Sequence, residues 1–170
     1  MKNGHCYSFG VGTSGELGTG KVEHKSKVLT RVKCEEKFQM ISVGSGGHCL
    51  AVTQDGECYS WGNCHYGKLG PEAEPVVSQL VPVVINEFKK PDHQMFNKLR
   101  RVSLISDTFL TRGISEKTDE KKYDVQSVAS SYSNSFIVDN GKLYSIGVNE
   151  NGMLGIGNKN IMLICEITQV

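Results

Sequence analysis

Asp55-Gly56-Glu57-Cys58-Tyr59-Ser60-Trp61-Gly62, with Gly67-Lys68-Leu69-Gly70 beginning five residues after Gly62, is the stretch on which the fold turns. Its first part stands earlier as Asn3-Gly4-His5-Cys6-Tyr7-Ser8-Phe9-Gly10 and later as Asn140-Gly141-Lys142-Leu143-Tyr144-Ser145-Ile146-Gly147. Its second part accompanies both, as Gly15-Glu16-Leu17-Gly18 and Gly152-Met153-Leu154-Gly155. The copies lie 52 residues apart (Tyr7 to Tyr59) and then 85 (Tyr59 to Tyr144), and both parts keep those offsets. This is an internal repeat. Its defining residues are Gly4, Tyr7, Gly10, Gly15, Leu17 and Gly18, then Gly56, Tyr59, Trp61, Gly62, Gly67, Leu69 and Gly70. The third copy supplies Gly141, Tyr144, Gly147, Gly152, Leu154 and Gly155.

Each part has a physical reading. Asn-Gly or Asp-Gly ahead of a strand supplies the positive-φ residues of a tight hairpin. Alternation along Cys58-Tyr59-Ser60-Trp61-Gly62 is expected to turn Tyr59 and Gly62 away from Cys58 and Trp61. Gly-x-Leu-Gly reads as a compact turn with its leucine tucked inward. Ahead of the hairpins lie apolar runs, Cys49–Thr53 and Ser135–Val138, and ahead of those Gln39–Gly44 and Asp124–Ala129. Extended segments at Val28–Val32, Leu80–Ile85 and Ile164–Thr168 follow the Leu-Gly turns. The expected count is ten strands in groups of two, four and four, with no amphipathic helix among the repeats. Four-stranded units recurring at about 50 residues are the mark of β-propeller blades. Repeats of the WD type need a Trp-Asp dipeptide that is absent. The double glycine of kelch blades, present as Gly46-Gly47, does not recur at Ser131-Tyr132.

Taken together, Val43-Gly44, His48-Cys49-Leu50-Ala51-Val52-Thr53, Asp55-Gly56, Cys58-Tyr59-Ser60-Trp61-Gly62 and Gly67-Lys68-Leu69-Gly70 closely resemble the regulator-of-chromosome-condensation repeat. The resemblance covers nearly the whole chain outside residues 87–122. It implies an all-β fold: a partial, open propeller of four-stranded antiparallel blades with one long loop insert. The segment 1–170 is expected to be a single unit, with repeat one at 3–54, repeat two at 55–139 and an incomplete repeat three at 140–170. The family builds seven-bladed rings, so these residues correspond to about two and a half blades. An open fan leaves strand edges unpaired, and self-association through those edges is expected.

Composition narrows the remaining classes. There are 19 glycines in 170 residues, about one in nine against a usual one in fourteen. The repeat turns account for most of that excess. Nineteen Lys and Arg oppose 18 Asp and Glu, for a net charge of +1, which gives no electrostatic reason for direct nucleic-acid or membrane contact. The six cysteines (6, 34, 49, 58, 64 and 165) show no Cys-x2–4-Cys spacing and read as reduced structural thiols. With no apolar leader, the expected setting is cytoplasmic or nuclear. The 87–122 insert carries mixed charge and reads as a solvated loop. Within it, Phe96–Leu99 and Val102–Leu110 are apolar enough to pack back on the blades, and Arg100-Arg101-Val102-Ser103 offers a candidate phosphorylation site at Ser103.

Three motifs imitate chemistry. Gly10-Val11-Gly12-Thr13-Ser14-Gly15 has dinucleotide-fingerprint spacing, but the other copies keep only the outer glycines and no helix is expected to follow. Gly15-Glu16-Leu17-Gly18-Thr19-Gly20-Lys21-Val22 falls one residue short of a phosphate loop, because Val22 replaces the magnesium-holding hydroxyl. His48 has no nucleophile or carboxylate partner in the sequence, and the resemblance implies a structural histidine that bonds a neighbouring turn, with Ser133 at its place in copy three. No constellation supports a reaction, a metal or a cofactor. The expectation is therefore a non-catalytic protein-interaction scaffold. Its family includes exchange factors for Ran-type small GTPases, which makes a small GTPase one partner class. A substrate-recognition region of a larger ubiquitin ligase and a chromatin-associated protein are the alternatives.

Overall fold

The computed structural model describes residues 4–70, 79–85, 124–157 and 163–170. They form ten strands: β1 Tyr7–Gly12, β2 Glu23–Arg31, β3 Phe38–Gly44, β4 His48–Thr53, β5 Cys58–Gly62, β6 Gln79–Val84, β7 Val125–Ser130, β8 Asn134–Asp139, β9 Lys142–Val148 and β10 Leu163–Gln169. β1 and β2 make a two-stranded sheet, β3-β4-β5-β6 a four-stranded one, and β7-β8-β9-β10 another, every pairing antiparallel. This is a partial propeller. Sequence repeat and sheet are out of phase, since the second sheet draws β3 and β4 from repeat one and β5 and β6 from repeat two.

A glycine bulge shapes β1, β5 and β9, the strands that lie beside the outermost strand of their sheets. Gly10, Gly62 and Gly147 lie at φ of +114°, +101° and +118°, where residues with a side chain are strained. At each of them the pairing with the outer strand slips. The chain then enters the Gly-x-Leu-Gly turn, closed by Gly18 N–H to Gly15 O at 2.9 Å and by the matching bonds at Gly70 and Gly155, both 3.0 Å. Leu17, Leu69 and Leu154 point inward and are buried. A serine pins each turn to its strand. Ser8 Oγ donates to Leu17 O at 2.6 Å, Ser60 Oγ to Leu69 O at 2.6 Å, and Ser145 Oγ to Leu154 O at 2.9 Å.

The core lies between sheets. β4 is buried along its whole length because both faces are covered, which explains its unbroken apolar run. On one side, Cys49 and Ala51 join Phe38 and Trp61 against the first sheet, with Phe38 and Trp61 stacked at 6.1 Å. On the other, Leu50, Val52, Cys58 and Ile85 meet Val125, Ile137, Tyr144 and Ile146 of the third sheet. Each such large side chain contributes about 1.5–3 kcal/mol when removed from water. Backbone bonds lock the sheets in sequence, with Phe38 N–H donating to Gly4 O at 2.9 Å and Val125 N–H to Gly56 O at 3.0 Å.

Two local expectations need correction. Tyr59 and Trp61 share one face and pack toward the first sheet, while Cys58 faces the third. Alternation of period two requires this, since residues two apart in a strand point the same way. The offset also drifts. β5 and β9 match at 85 residues (Gly62 to Gly147), β4 and β8 at 86 (His48 to Asn134) and β3 and β7 at 87 (Phe38 to Val125). Each of the two turns in the third sheet is one residue shorter. The residue in the place of His48 is therefore Asn134, opposite Gly147 as His48 is opposite Gly62, and not Ser133.

Candidate functional site

The turn residues 13–22, 45–47, 63–70, 131–133 and 149–157 lie at one end of their sheets, called here the turn end. The seam between the second and third sheets closes there. Gly44 and Gly46 lie against the Ser131 and Tyr132 carbonyls of the next sheet, and a Cβ at either would overlap them. Lys68, buried in the β5–β6 turn, crosses the seam. Its Nζ donates to Gly46 O at 3.1 Å and Tyr132 O at 3.4 Å. Ser135 Oγ donates to Lys68 O at 2.6 Å, so it accepts from His48 Nε2 at 3.1 Å. That chain of donors places the His48 proton on Nε2 and leaves Nδ1 buried with no partner. Burial first, and the Lys68 charge second, push the His48 pKa down to about 4. Burial likewise lowers that of Lys68. His48 is a neutral structural histidine at neutral pH.

The other groups with chemical potential are similarly enclosed. The five described cysteines are free thiols. Burial pushes Cys49 and Cys58 up to about 12 and raises Cys6, Cys34 and Cys64, so all five stay protonated. Trp61 Nε1 donates to Glu16 O at 3.0 Å, tying the second sheet to the first turn. In the loop with dinucleotide-fingerprint spacing, Ser14 N–H donates to Glu16 Oε2 at 2.7 Å, so its own carboxylate takes an amide a phosphate would need. A strand, β2, follows that loop. Lys21 pairs with Glu23 at 2.5 Å. Among the described residues no three His, Cys, Asp or Glu side chains come together as a metal site, and no helix is long and apolar enough to cross a membrane. Ser103, the 87–122 insert and the apolar runs within it lie outside the described residues.

What the turn end exposes is aromatic and thioether surface. Tyr66 is 51% exposed, Tyr132 68% and Met153 46%. Tyr66 and its counterpart Asn151 hold φ of +66° and +58°, an uncommon conformation for an aromatic residue. Sequence reasoning reached the turns but missed these side chains, because they vary between copies and carry no motif. It also missed Ser8, Ser60 and Ser145, although all three stand in the quoted repeat.

No protein-family model matches the chain. Residues of the chain are 41% identical over 70 positions to the E3 ubiquitin-protein ligase HERC2 of Homo sapiens, covering 40% of this chain and 1% of that protein. They are 36% identical over 87 positions to the human regulator of chromosome condensation, covering 49% of this chain and 20% of the relative. The solved structure of Prp20p from Saccharomyces cerevisiae, described together with its binding to Gsp1p and histones, superposes over 96% of this chain with a TM-score of 0.64. The chain carries regulator-of-chromosome-condensation repeats. At 21% identity, Prp20p shows the fold alone, and this chain spans 33% of it. The repeats here therefore correspond to a small share of each relative, and the described sheets to part of a propeller.

Proposed function

We propose that these repeats form a non-catalytic protein-interaction platform whose partner docks on the turn end. The carrying observation is a division of labour. The polar groups His48, Ser135 and Lys68 are buried in holding two sheets together, while Tyr66, Tyr132 and Met153 stand exposed in turns of the same end. Aromatic residues on a rigid base are the usual anchors of protein interfaces. The strained backbone at Tyr66 fits a residue held in place for contact. The partner class favoured by the repeat family is a small GTPase. Prp20p, described with Gsp1p, supports that choice by fold analogy, and the implied setting is cytoplasm or nucleus. A host ubiquitin ligase is the second reading, favoured by the 41% identity to HERC2.

Direct binding of Ran-type small GTPases, in GDP-bound and nucleotide-free forms, tests the proposal on wild type and a Tyr66→Ser, Tyr132→Ser double variant. Binding that weakens at least tenfold in the double variant supports the turn-end reading. Equal binding by both proteins, or none by the wild type, overturns the small-GTPase assignment at this end. Labelled-GDP release on the same samples separates exchange activity from simple docking.

A further inference from the structure

The described cysteines are free thiols, and they are not spread evenly. Cys6, Cys34 and Cys49 come from three different segments and meet in one cluster, built on Phe38, Ala51 and Trp61, between the first two sheets. Cys49 Sγ is turned toward Glu16 O, to which it donates at 3.5 Å. Cys6 and Cys34 lie at the opposite end from the turns, before β1 and between β2 and β3, where the chain folds over itself. Val32 N–H donates to Cys6 O at 2.9 Å and Phe38 N–H to Gly4 O at 2.9 Å, so both ends of the link 33–37 are fastened to residues 4–6. The approach is close enough that a Cβ on Gly4 would lie 2.7 Å from the Lys37 Cβ. Inside the link, Cys34 N–H donates to Val32 O at 2.9 Å, closing a γ-turn that folds Cys34 back on the strand end beside Cys6. Burial is the first cause that raises the Cys6 pKa and the Cys34 sulfur is the second, so the two thiols are within electrostatic reach of each other.

We infer that Cys6 and Cys34 form a redox pair that closes to an intramolecular disulfide, with oxidised glutathione, a small-molecule disulfide, as the oxidant. Strand pairing of Cys6 with Val32 and the turn at Cys34 are the arrangement that brings Cα atoms within the roughly 7 Å a disulfide spans. One protein thiol gives up its proton and attacks a sulfur of oxidised glutathione, breaking its S–S bond and releasing one reduced glutathione. The second protein thiol attacks the protein sulfur of that mixed disulfide, forms the Cys6–Cys34 bond and releases the second glutathione. Both protons end on the leaving thiolates, and the two electrons lost by the protein reduce the glutathione disulfide. Burial raises both thiols, so the reduced form gains no stability as a thiolate; such a pair oxidises slowly and holds its disulfide firmly. Copy two has only half of the pair. Ile85 N–H donates to Cys58 O at 2.7 Å as Val32 does to Cys6, but Glu87 follows Ile85 where Cys34 follows Val32. Cys58 is therefore a built-in control. The bond closes the loop from residue 6 to residue 34 and constrains the unfolded chain. It lies away from the turn-end surface, so each proposal can fail without the other.

The full chain is equilibrated at pH 8 in mixtures of reduced and oxidised glutathione, quenched with acid, alkylated, and digested without reduction for peptide mass spectrometry. The expected result is one linked pair, Cys6–Cys34, formed equally at low and high protein concentration, with Cys49 and Cys58 alkylated only after denaturation. The urea midpoint of the oxidised chain is expected to rise and to return on adding dithiothreitol. Cys49→Ser is expected to form the same bond as readily as wild type. Cys34→Ser is expected to cut the share of Cys6 held in a disulfide within the chain at least tenfold. The first measurement needs no variant, so a substitution that disturbs folding leaves the test intact. Unlinked Cys6 and Cys34 across the whole range of mixtures, as free thiols or as separate glutathione adducts, overturn the proposal. So does a bond from either residue to Cys49 or Cys165, or a linked pair that appears only as protein concentration rises and joins two copies. Formation only in urea belongs to the unfolded chain and overturns it as well.

Discussion

Acid destabilises this fold through His48, and the size of the effect follows from its surroundings. The imidazole is buried in the seam, donates to Ser135 and faces the Lys68 ammonium, and its pKa falls from 6.5 to about 4. A depressed histidine pKa means that the unfolded chain takes up the proton first as pH falls. The stabilisation is therefore complete above about pH 6.5 and is lost progressively down to about pH 4. A shift of this size corresponds to about 3 kcal/mol, a large share of the stability of a small domain. Urea unfolding from pH 7.5 to 4.0, alongside NMR titration of the ring, measures it. His48→Asn is the informative variant, because Asn134 occupies the matching place in the third sheet. That variant is expected to lose the slope between pH 6.5 and 4 while keeping the acid loss common to all carboxylates. Lys68→Met is expected to raise the His48 pKa by removing the facing charge. Identical pH profiles for wild type and His48→Asn, or a ring titrating near 6.5 in the folded protein, would refute the reasoning.

The three bulge glycines separate backbone strain from crowding. Gly10→Ala should cost about 1–2 kcal/mol from its positive φ alone, and Gly62→Ala and Gly147→Ala about 3 kcal/mol or more, since a carbonyl occupies the methyl's space. Equal losses in denaturant unfolding would contradict this ranking. Ser60→Ala and Ser145→Ala, each stripping a buried leucine carbonyl of its donor, should cost about 1–3 kcal/mol, and the more accessible Ser8→Ala about 0.5–1.5 kcal/mol. Native Cys49 and Cys58, with pKa pushed to about 12, should resist a thiol-disulfide reagent at pH 8 until the chain unfolds; modification of either at free-thiol rates would show that the core is open.

What the sequence made legible is what local chemistry dictates. Asn-Gly and Gly-x-Leu-Gly act within four residues of themselves, so their recurrence located the turns, and the apolar runs between them located the strands. The facing of Tyr59 and Trp61 was misread although the rule for it is local, because residues two apart share a side of a strand. The drift from 85 to 87 residues was harder, since glycine clusters can hold their spacing while two turns each lose a residue. The His48–Ser135–Lys68 seam was not legible. His48 and Ser135 stand 87 residues apart, and nothing in either neighbourhood marks a partner. Serine pinning occupies a middle position. Ser8, Ser60 and Ser145 recur nine residues before the leucines whose carbonyls they bind, so the pattern was present without a local reason to read it.

Gly10 shows how the two kinds of information combine. In the sequence it is one of three equivalent repeat glycines, and local reasoning treats all three alike. The structure separates them by what lies opposite. Gly62 and Gly147 satisfy a conformational demand and a steric one together, while Gly10 meets only the first. The first sheet therefore retains the backbone shape of a four-stranded blade around a position that none of the described residues fills.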